Sequence, residues 1–335
     1  MEKKLFIKEI KDNESISDFF LVADKKINIA KNDTSYLFLL LKDKSGSIEA
    51  KKWDIKDKKF EEISLGDVVN IKGRAEKFKD KIQIIIEEIS KVEKTENLLN
   101  DLIPTSQKNL AKLSNKLIEF INEIKDKNLK SLIEKIFFDN NEEIFKIFKI
   151  SPASTKFHHA YRGGLLEHTI NVTEISVSLG KIYNTNNIDL LIAGSILHDI
   201  GKVYEYDPIT FKKTDKGRFL GHIAIGIEII SKKIERLRNF PENYSNSLKH
   251  IILSHHGEFE WGSPVQPAFL EALIIHYADL IDSKVNPIVE NVTTEEGWKY
   301  LKSLRRNFVN IEYFKDDNED DVLLKEKQLT KKIFE

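Results

Sequence analysis

The chain has 335 residues, 41% hydrophobic and 32% charged, and its 53 basic and 54 acidic side chains leave a formal net charge of -1. That length allows two domains with sizeable cores, and the near-neutral balance gives no global electrostatic argument for a polyanionic partner; only a local basic surface could supply one. The absence of cysteine excludes disulfides and thiolate-bound zinc. The first twenty residues, MEKKLFIKEIKDNESISDFF, have no apolar signal core, and no stretch approaches roughly 18 uninterrupted apolar residues, so a soluble, cytoplasmic protein without membrane association is expected.

Residues 1–92 read as strands. LFIKEI, SISDFFLVADKKINIA, SYLFLLLKDKSGSIEAKKW, VVNIKGRAEKF and KIQIIIEEISKV alternate or run apolar and β-branched, with turns at Lys44-Ser45-Gly46, Gly66-Asp67 and Lys79-Asp80. About five strands in that length suit a small closed barrel. The long strand, glycine turn and return strand between Tyr36 and Trp53 resemble the oligonucleotide-binding OB-fold. Such a barrel binds single strands with aromatics that stack on bases and lysines that follow phosphates. Phe38, Lys42, Lys51, Lys52, Trp53, Lys77 and Phe78 are the candidates here; the competing reading places each aromatic in the core and each lysine on an ordinary solvated face.

From Glu93 the spacing becomes helical. Residues 93–104 read as a linker ending at Pro104, with Thr105-Ser106 as the helix cap that follows, and residues 105–310 as an all-helical domain. The overall class is therefore multi-domain, a five-stranded OB-fold barrel followed by an all-α domain. Residues 311–335 form a charged tail with the acidic run Asp316 to Asp321, expected to be solvated.

All nine histidines fall between 158 and 276. In LLIAGSILHDIGK, an apolar helix ends in His198-Asp199; Gly201 reads as its C-terminal glycine and Lys202 as a cation just beyond. Alone, the pair fits a capped helix end whose polar groups are simply hydrogen-bonded. The other histidines change its context. His168 stands early in LLEHTINVTEISVSL, His222 opens GHIAIGIEIISKKIERL, His255-His256 close LKHIILSHHG, and Asp279 lies within FLEALIIHYADLIDSK. Alternating helix starts and ends converge at one end of an antiparallel bundle. Imidazoles with carboxylates suit Mn, Fe, Zn or Mg-like ions, and so many donors suit two metals about 3.5–4 Å apart, with Asp199 as the shared carboxylate.

The ordered set HHAYRGGLLEHT, LHDIGK, GHI, LSHHGEFEWGSP and HYADLID resembles the HD-domain phosphohydrolases. With the barrel before it, nearly the whole chain is similar to the YhaM family of 3′-to-5′ exoribonucleases. The resemblance implies His168, His198, Asp199, His222, His255, His256 and Asp279 as ligands of two divalent metals of the Mn²⁺ type, with Fe, Mg, Zn or Co as alternatives. It implies Asp199 and Lys202 as catalytic groups, Lys202 also touching phosphate. His158, His159 and Arg162, in the loop before the first ligand helix, are expected to touch phosphate or ribose. Glu167 departs from the family pattern and is expected on the helix surface. His276 and Asp282 fit either ligand orientation or plain helix packing, and His250 a structural or surface role. The implied activity is hydrolysis of single-stranded RNA, or ssDNA, from the 3′ end by a metal-activated hydroxide, giving nucleoside 5′-monophosphates in a chain that can assemble with its own copies. The rivals are an HD phosphohydrolase acting on nucleotides or cyclic dinucleotides, and a non-catalytic strand-binding module.

Overall fold

β-branched and apolar residues at every second position build roughly the first quarter of the chain. In the computed structural model, which describes residues 2–311 apart from 31–33, 54, 56–59, 61, 140–143, 156 and 293–296, five strands close into a barrel in the order β1-β2-β3-β5-β4. They are β1 (Ser15–Ile29), β2 (Ser35–Asp43), β3 (Gly46–Lys52), β4 (Val68–Phe78) and β5 (Lys81–Val92). β1 serves two neighbours: Ser15–Leu21 pairs with β4 and Leu21–Ile29 with β2, with a register shift between Val22 and Asp24 that lets the strand bend around the barrel. Parallel pairing of Glu49–Lys51 with Gln83–Ile85 completes closure. Leu37, Leu39 and Leu41 point inward and are fully buried, so the intervening residues of β2 face out.

Two expectations fail here. LFIKEI is not a strand: Ile7–Glu9 form a 3-10 turn, because carboxylates take the backbone donors that a ladder would need. Asp18 Oδ2 accepts from Lys4 and Leu5 N–H at 2.9 and 2.6 Å, and Asp43 Oδ2 from Ile7 N–H at 2.7 Å. The segment 93–104 is not a bare linker either. Thr95 caps the helix α1 (Glu96–Leu102), whose Leu98, Leu99 and Leu102 form a buried cluster with Leu21 and Val68 of the barrel.

The helices that follow are α2 (Leu110–Glu123), α3 (Lys127–Phe138), α4 (Ile144–Phe148), α5 (Gly164–Ile182), α6 (Ile188–Leu197), α7 (Lys202–Glu205), α8 (Asp215–Ile234), α9 (Glu242–Ser254) and α10 (Leu270–Asn291). Asn109, not Thr105 or Ser106, caps α2, accepting from Ala111 and Lys112 N–H; it stands one residue before the first helical position, where a side-chain oxygen reaches the free donors. Every residue of α6 from Leu190 to Leu197 is buried, in one core with α2, α3, α5, α8, α9 and α10. The expectation of helix alone over residues 105–310 fails at its end: a second unit begins at Ser283, and its described part includes the antiparallel hairpin of β6 (Trp298–Leu301) and β7 (Arg306–Val309). The acidic run Asp316–Asp321 lies outside the described residues. Among the described residues no helix is long and apolar enough to cross a membrane.

Candidate active site

Five imidazoles are fixed through one nitrogen each, which leaves the other free to converge. His198 Nδ1 meets Ser195 O at 2.7 Å, and His255 Nδ1 meets Ile252 O at 2.8 Å; both residues end a helix, so a carbonyl of the last turn lies within reach. His256 Nδ1 reaches Trp261 O at 3.0 Å and His168 Nδ1 reaches Asp282 Oδ2 at 2.6 Å, while His222 Nδ1 stands at ion-pair distance, 3.2 Å, from Glu205 Oε2. A carbonyl or carboxylate accepts only from N–H, so a proton on Nδ1 serves each of these anchors and Nε2 is the atom turned inward.

Four of those Nε2 atoms gather around Asp199, which is 2% exposed. Its Oδ2 lies 3.4 Å from Nε2 of both His168 and His198; its Oδ1 lies 3.6 Å from Nε2 of both His222 and His255. His168 and His198 Nε2 are 3.3 Å apart, and Asp279 Oδ1 is 3.3 Å from His168 Nε2. Of three donor trios whose atoms lie within 4.8 Å of one another among the described residues, two face Asp199, His168/His198/Asp279 and His222/His255/His256; the third, His159/His168/Asp282, gathers on the far nitrogen of His168. The carboxylate of Asp199 has one oxygen toward each of the first two.

The donor set fits divalent cations on an observation of its own. Asp199 Oδ1, His222 Nε2 and His255 Nε2 are buried with no hydrogen-bond partner, an arrangement costing about 1–3 kcal/mol per group unless something electrophilic occupies the space between them. The surroundings act differently on the two sides of the site. Burial alone would lower the His168 pKa, but hydrogen bonds to Asp199, Asp279 and Asp282 hold it well above the ordinary value. Burial would raise Asp199, but Lys202 and His198 hold it well below the carboxylate range. His255 is kept neutral by burial and by His256 beside it.

Family models match an HD domain over residues 165–284 and an OB-fold nucleic acid binding domain over 21–92. The 3′-5′ exoribonuclease YhaM of Listeria innocua is 33% identical over 290 residues, covering 85% of this chain and 90% of that protein. The chain belongs to the YhaM family of 3′-5′ exoribonucleases. The same enzyme of Bacillus subtilis is 33% identical over 288 residues with the same coverage. A solved OB-fold domain of replication protein A from Methanococcus maripaludis aligns with 28% of this chain and 98% of its own at 26% identity, with a TM-score of 0.23.

The remaining family-implied residues divide sharply. Lys202 does not project beyond the helix: it is buried, with Nζ 2.5 Å from Asp199 Oδ2, and Asp199 and Asp279 keep it cationic against burial. Gly201 does not terminate α6 in a left-handed turn, since its φ of -64° is right-handed. It is glycine because a Cβ there would lie 1.9 Å from His222 O, so α8 can bring His222 to the site only against a bare backbone. α8 itself is broken at Gly221 (φ 70°), which restarts the helix at His222.

His158 is half-buried, its ring 5.3 Å from that of His168, and burial with the neighbouring His168 and Lys202 charges pushes its pKa down to about 3. His159 and Arg162, expected to touch phosphate or ribose, both have partners within the chain. His159 Nε2 lies 2.7 Å from Asp282 and its Nδ1 2.7 Å from Tyr161 OH, while Arg162 grips both oxygens of Glu96 at 3.0 and 2.7 Å, tying the loop to α1. Glu167 is 5% exposed rather than on the surface; Ser106 Oγ and Tyr161 OH donate to it, and Lys108 lies 2.9 Å away. Asp282 gathers His168, His159 and Asn171 (2.7 Å), so it orients rather than merely packs. His276 binds the His255 carbonyl at 2.8 Å, and His250 Nε2 accepts from Ala268 N–H at 2.9 Å. Sequence reasoning missed Glu205; its signal was a lone acid following the apolar Val203 and Tyr204 in so short a helix.

On the barrel, Phe38 is outward and half-buried, paired in register with Lys26 and Lys51. Lys51 Nζ lies 5.2 Å from the Phe78 ring, and Trp53 packs on Tyr36 with centroids 4.8 Å apart. Lys42 is exposed, Lys52 donates to Glu87 O at 2.7 Å and Lys77 pairs with Asp80 at 3.4 Å. Tyr36 was missed, although the alternation of β2 places it on the same face as Phe38.

Proposed function

We propose that the chain is a metal-dependent 3′-to-5′ exoribonuclease, a hydrolase that releases nucleoside 5′-monophosphates from single-stranded RNA or DNA. The observation that carries the reading is the convergence of imidazole Nε2 atoms on both oxygens of Asp199. Two divalent ions, Mn²⁺ by preference, would be held by His168, His198 and Asp279 on one side and His222, His255 and His256 on the other, with Asp199 between. When bound they would supply Lewis acidity to a phosphodiester and lower the pKa of water.

The chain's own groups do the rest. The Nδ1 anchors hold the rings without reorganisation at the moment of reaction. Lys202 keeps Asp199 ionised and adds a cation beside the phosphate; His158, neutral at physiological pH, faces the same space as a hydrogen-bonding group. On the barrel, read as residues 1–92, Tyr36, Phe38, Trp53 and Phe78 offer π-faces with Lys51 and Lys42 beside them, a surface suited to holding the upstream strand without sequence preference. A cytoplasmic, reducing setting fits a chain without cysteine.

The test is 5′-end-labelled RNA incubated with Mn²⁺. A ladder shortening from the 3′ end supports the reading. An intact strand alongside hydrolysis of nucleotides or cyclic dinucleotides favours the other branch of the HD phosphohydrolases.

A further inference from the structure

The segment GEFEWGS after the histidine pair has no part in the donor trios, yet its backbone is tightly constrained. Trp261 and Ser263 N–H both donate to Glu258 O, at 3.1 and 3.2 Å, and Gly262 N–H donates to Phe259 O at 3.0 Å. The Ser263 hydroxyl is buried within reach of the carbonyls of Leu253 and Val265. Gly257 (φ 82°) packs so closely on His276 that a Cβ would fall 2.2 Å from the imidazole. This rigid turn holds its two aromatic side chains in water: Phe259 is 61% and Trp261 53% exposed.

Rings held out by an ordered backbone are a preorganised binding surface, because the ordering cost is met before any ligand arrives. The turn is also joined to the donor set, since the Trp261 carbonyl takes the Nδ1 proton of His256 at 3.0 Å. Between Gly257 and Val265 there are two acids, Glu258 and Glu260, and no lysine or arginine. Such a surface repels phosphate and suits the uncharged face of a base. A third ring, Phe219, is 87% exposed three residues before His222.

We infer that Phe259 and Trp261 form a stacking platform for the 3′-terminal nucleobases of the substrate, beside the trio of His222, His255 and His256. The platform rests on the exonuclease reading. It selects for a strand end that carries bases while remaining indifferent to which bases they are.

The test uses the full chain and its Phe259→Leu/Trp261→Leu double variant, which keeps apolar bulk at two exposed positions and removes both π-faces. In EDTA, RNA with 2-aminopurine at its 3′ end is expected to bind the wild type with quenched fluorescence, and the double variant about tenfold more weakly without quenching. With Mn²⁺, KM for ordinary RNA rises about tenfold and kcat/KM falls with it. RNA ending in an abasic nucleotide shows the same rise with the wild type and no further rise with the variant. Equal quenching and equal KM in the two proteins overturn the platform. Binding with quenching but no hydrolysis upholds the platform and overturns the exonuclease reading. Hydrolysis with an indistinguishable variant does the reverse, and no RNA binding at all overturns both. A variant that loses only capture of another protein shows a protein-docking surface instead and overturns the platform.

Discussion

Asp282 holds three groups, so its removal gives a graded and quantitative prediction. Its Oδ2 accepts from His168 Nδ1 and meets His159 Nε2, and its Oδ1 accepts from Asn171. Replacement by alanine strands two buried imidazole nitrogens, while the less buried Asn171 can turn to water. At about 1–3 kcal/mol per stranded group the loss is roughly 2–6 kcal/mol. Asp282→Asn is far milder. Its carbonyl oxygen can serve the two rings, and its amide can donate to Asn171 once that amide flips, which leaves a loss of about 1 kcal/mol. Metal binding should separate in the same order, with Mn²⁺ affinity falling about 10–100-fold in the alanine variant, because His168 is no longer held with Nε2 inward. Urea denaturation followed by circular dichroism, together with Mn²⁺ titration calorimetry, reads both effects. Equal losses in the two variants, or an alanine variant as stable as wild type, would refute the orienting role.

Three further outcomes are expected. Gly201→Ala, whose Cβ would sit 1.9 Å from His222 O, should cost about 1–3 kcal/mol and displace His222, seen as a lower urea midpoint with weakened Mn²⁺ binding. Glu205→Gln should weaken metal binding on the His222 side alone, so a two-site isotherm should lose affinity in one phase and keep the other. The third concerns acid. Burial would raise the Asp67 pKa, but the Lys91 and Ser64 hydrogen bonds hold it below its ordinary 3.8; its stabilisation is therefore present above that value and lost as pH falls through the depressed one. The urea midpoint should fall between pH 6 and pH 3, and by less in Asp67→Asn.

What the sequence made legible was local periodicity and residue type. Alternation in SYLFLLL declared which face of β2 is core, and Leu37, Leu39 and Leu41 lie there. Histidines at helix ends pointed to a shared site because a helix terminus is where a side chain escapes its own core. What stayed hidden depends on partners distant in the chain. Glu167 reads as a surface acid and Arg162 as a phosphate contact until Ser106 and Glu96 are brought beside them. Gly201 carries the same letter whether it turns left-handed or admits a neighbouring backbone, and only the packing of α8 decides. The helix α1 is too short for periodicity to separate from a linker, although Thr95 and the three leucines were its signal.

The central claim is that Asp199, with one oxygen toward each donor trio, is the residue on which the holding of two divalent ions would depend. Electron paramagnetic resonance of the Mn²⁺-loaded protein tests it most directly. The wild type should bind two ions per chain and give the spectrum of an exchange-coupled pair, and Asp199→Ala should lose both the coupling and the second ion. Isolated Mn²⁺ in the wild type, or a coupled pair that survives in Asp199→Ala, would contradict the account.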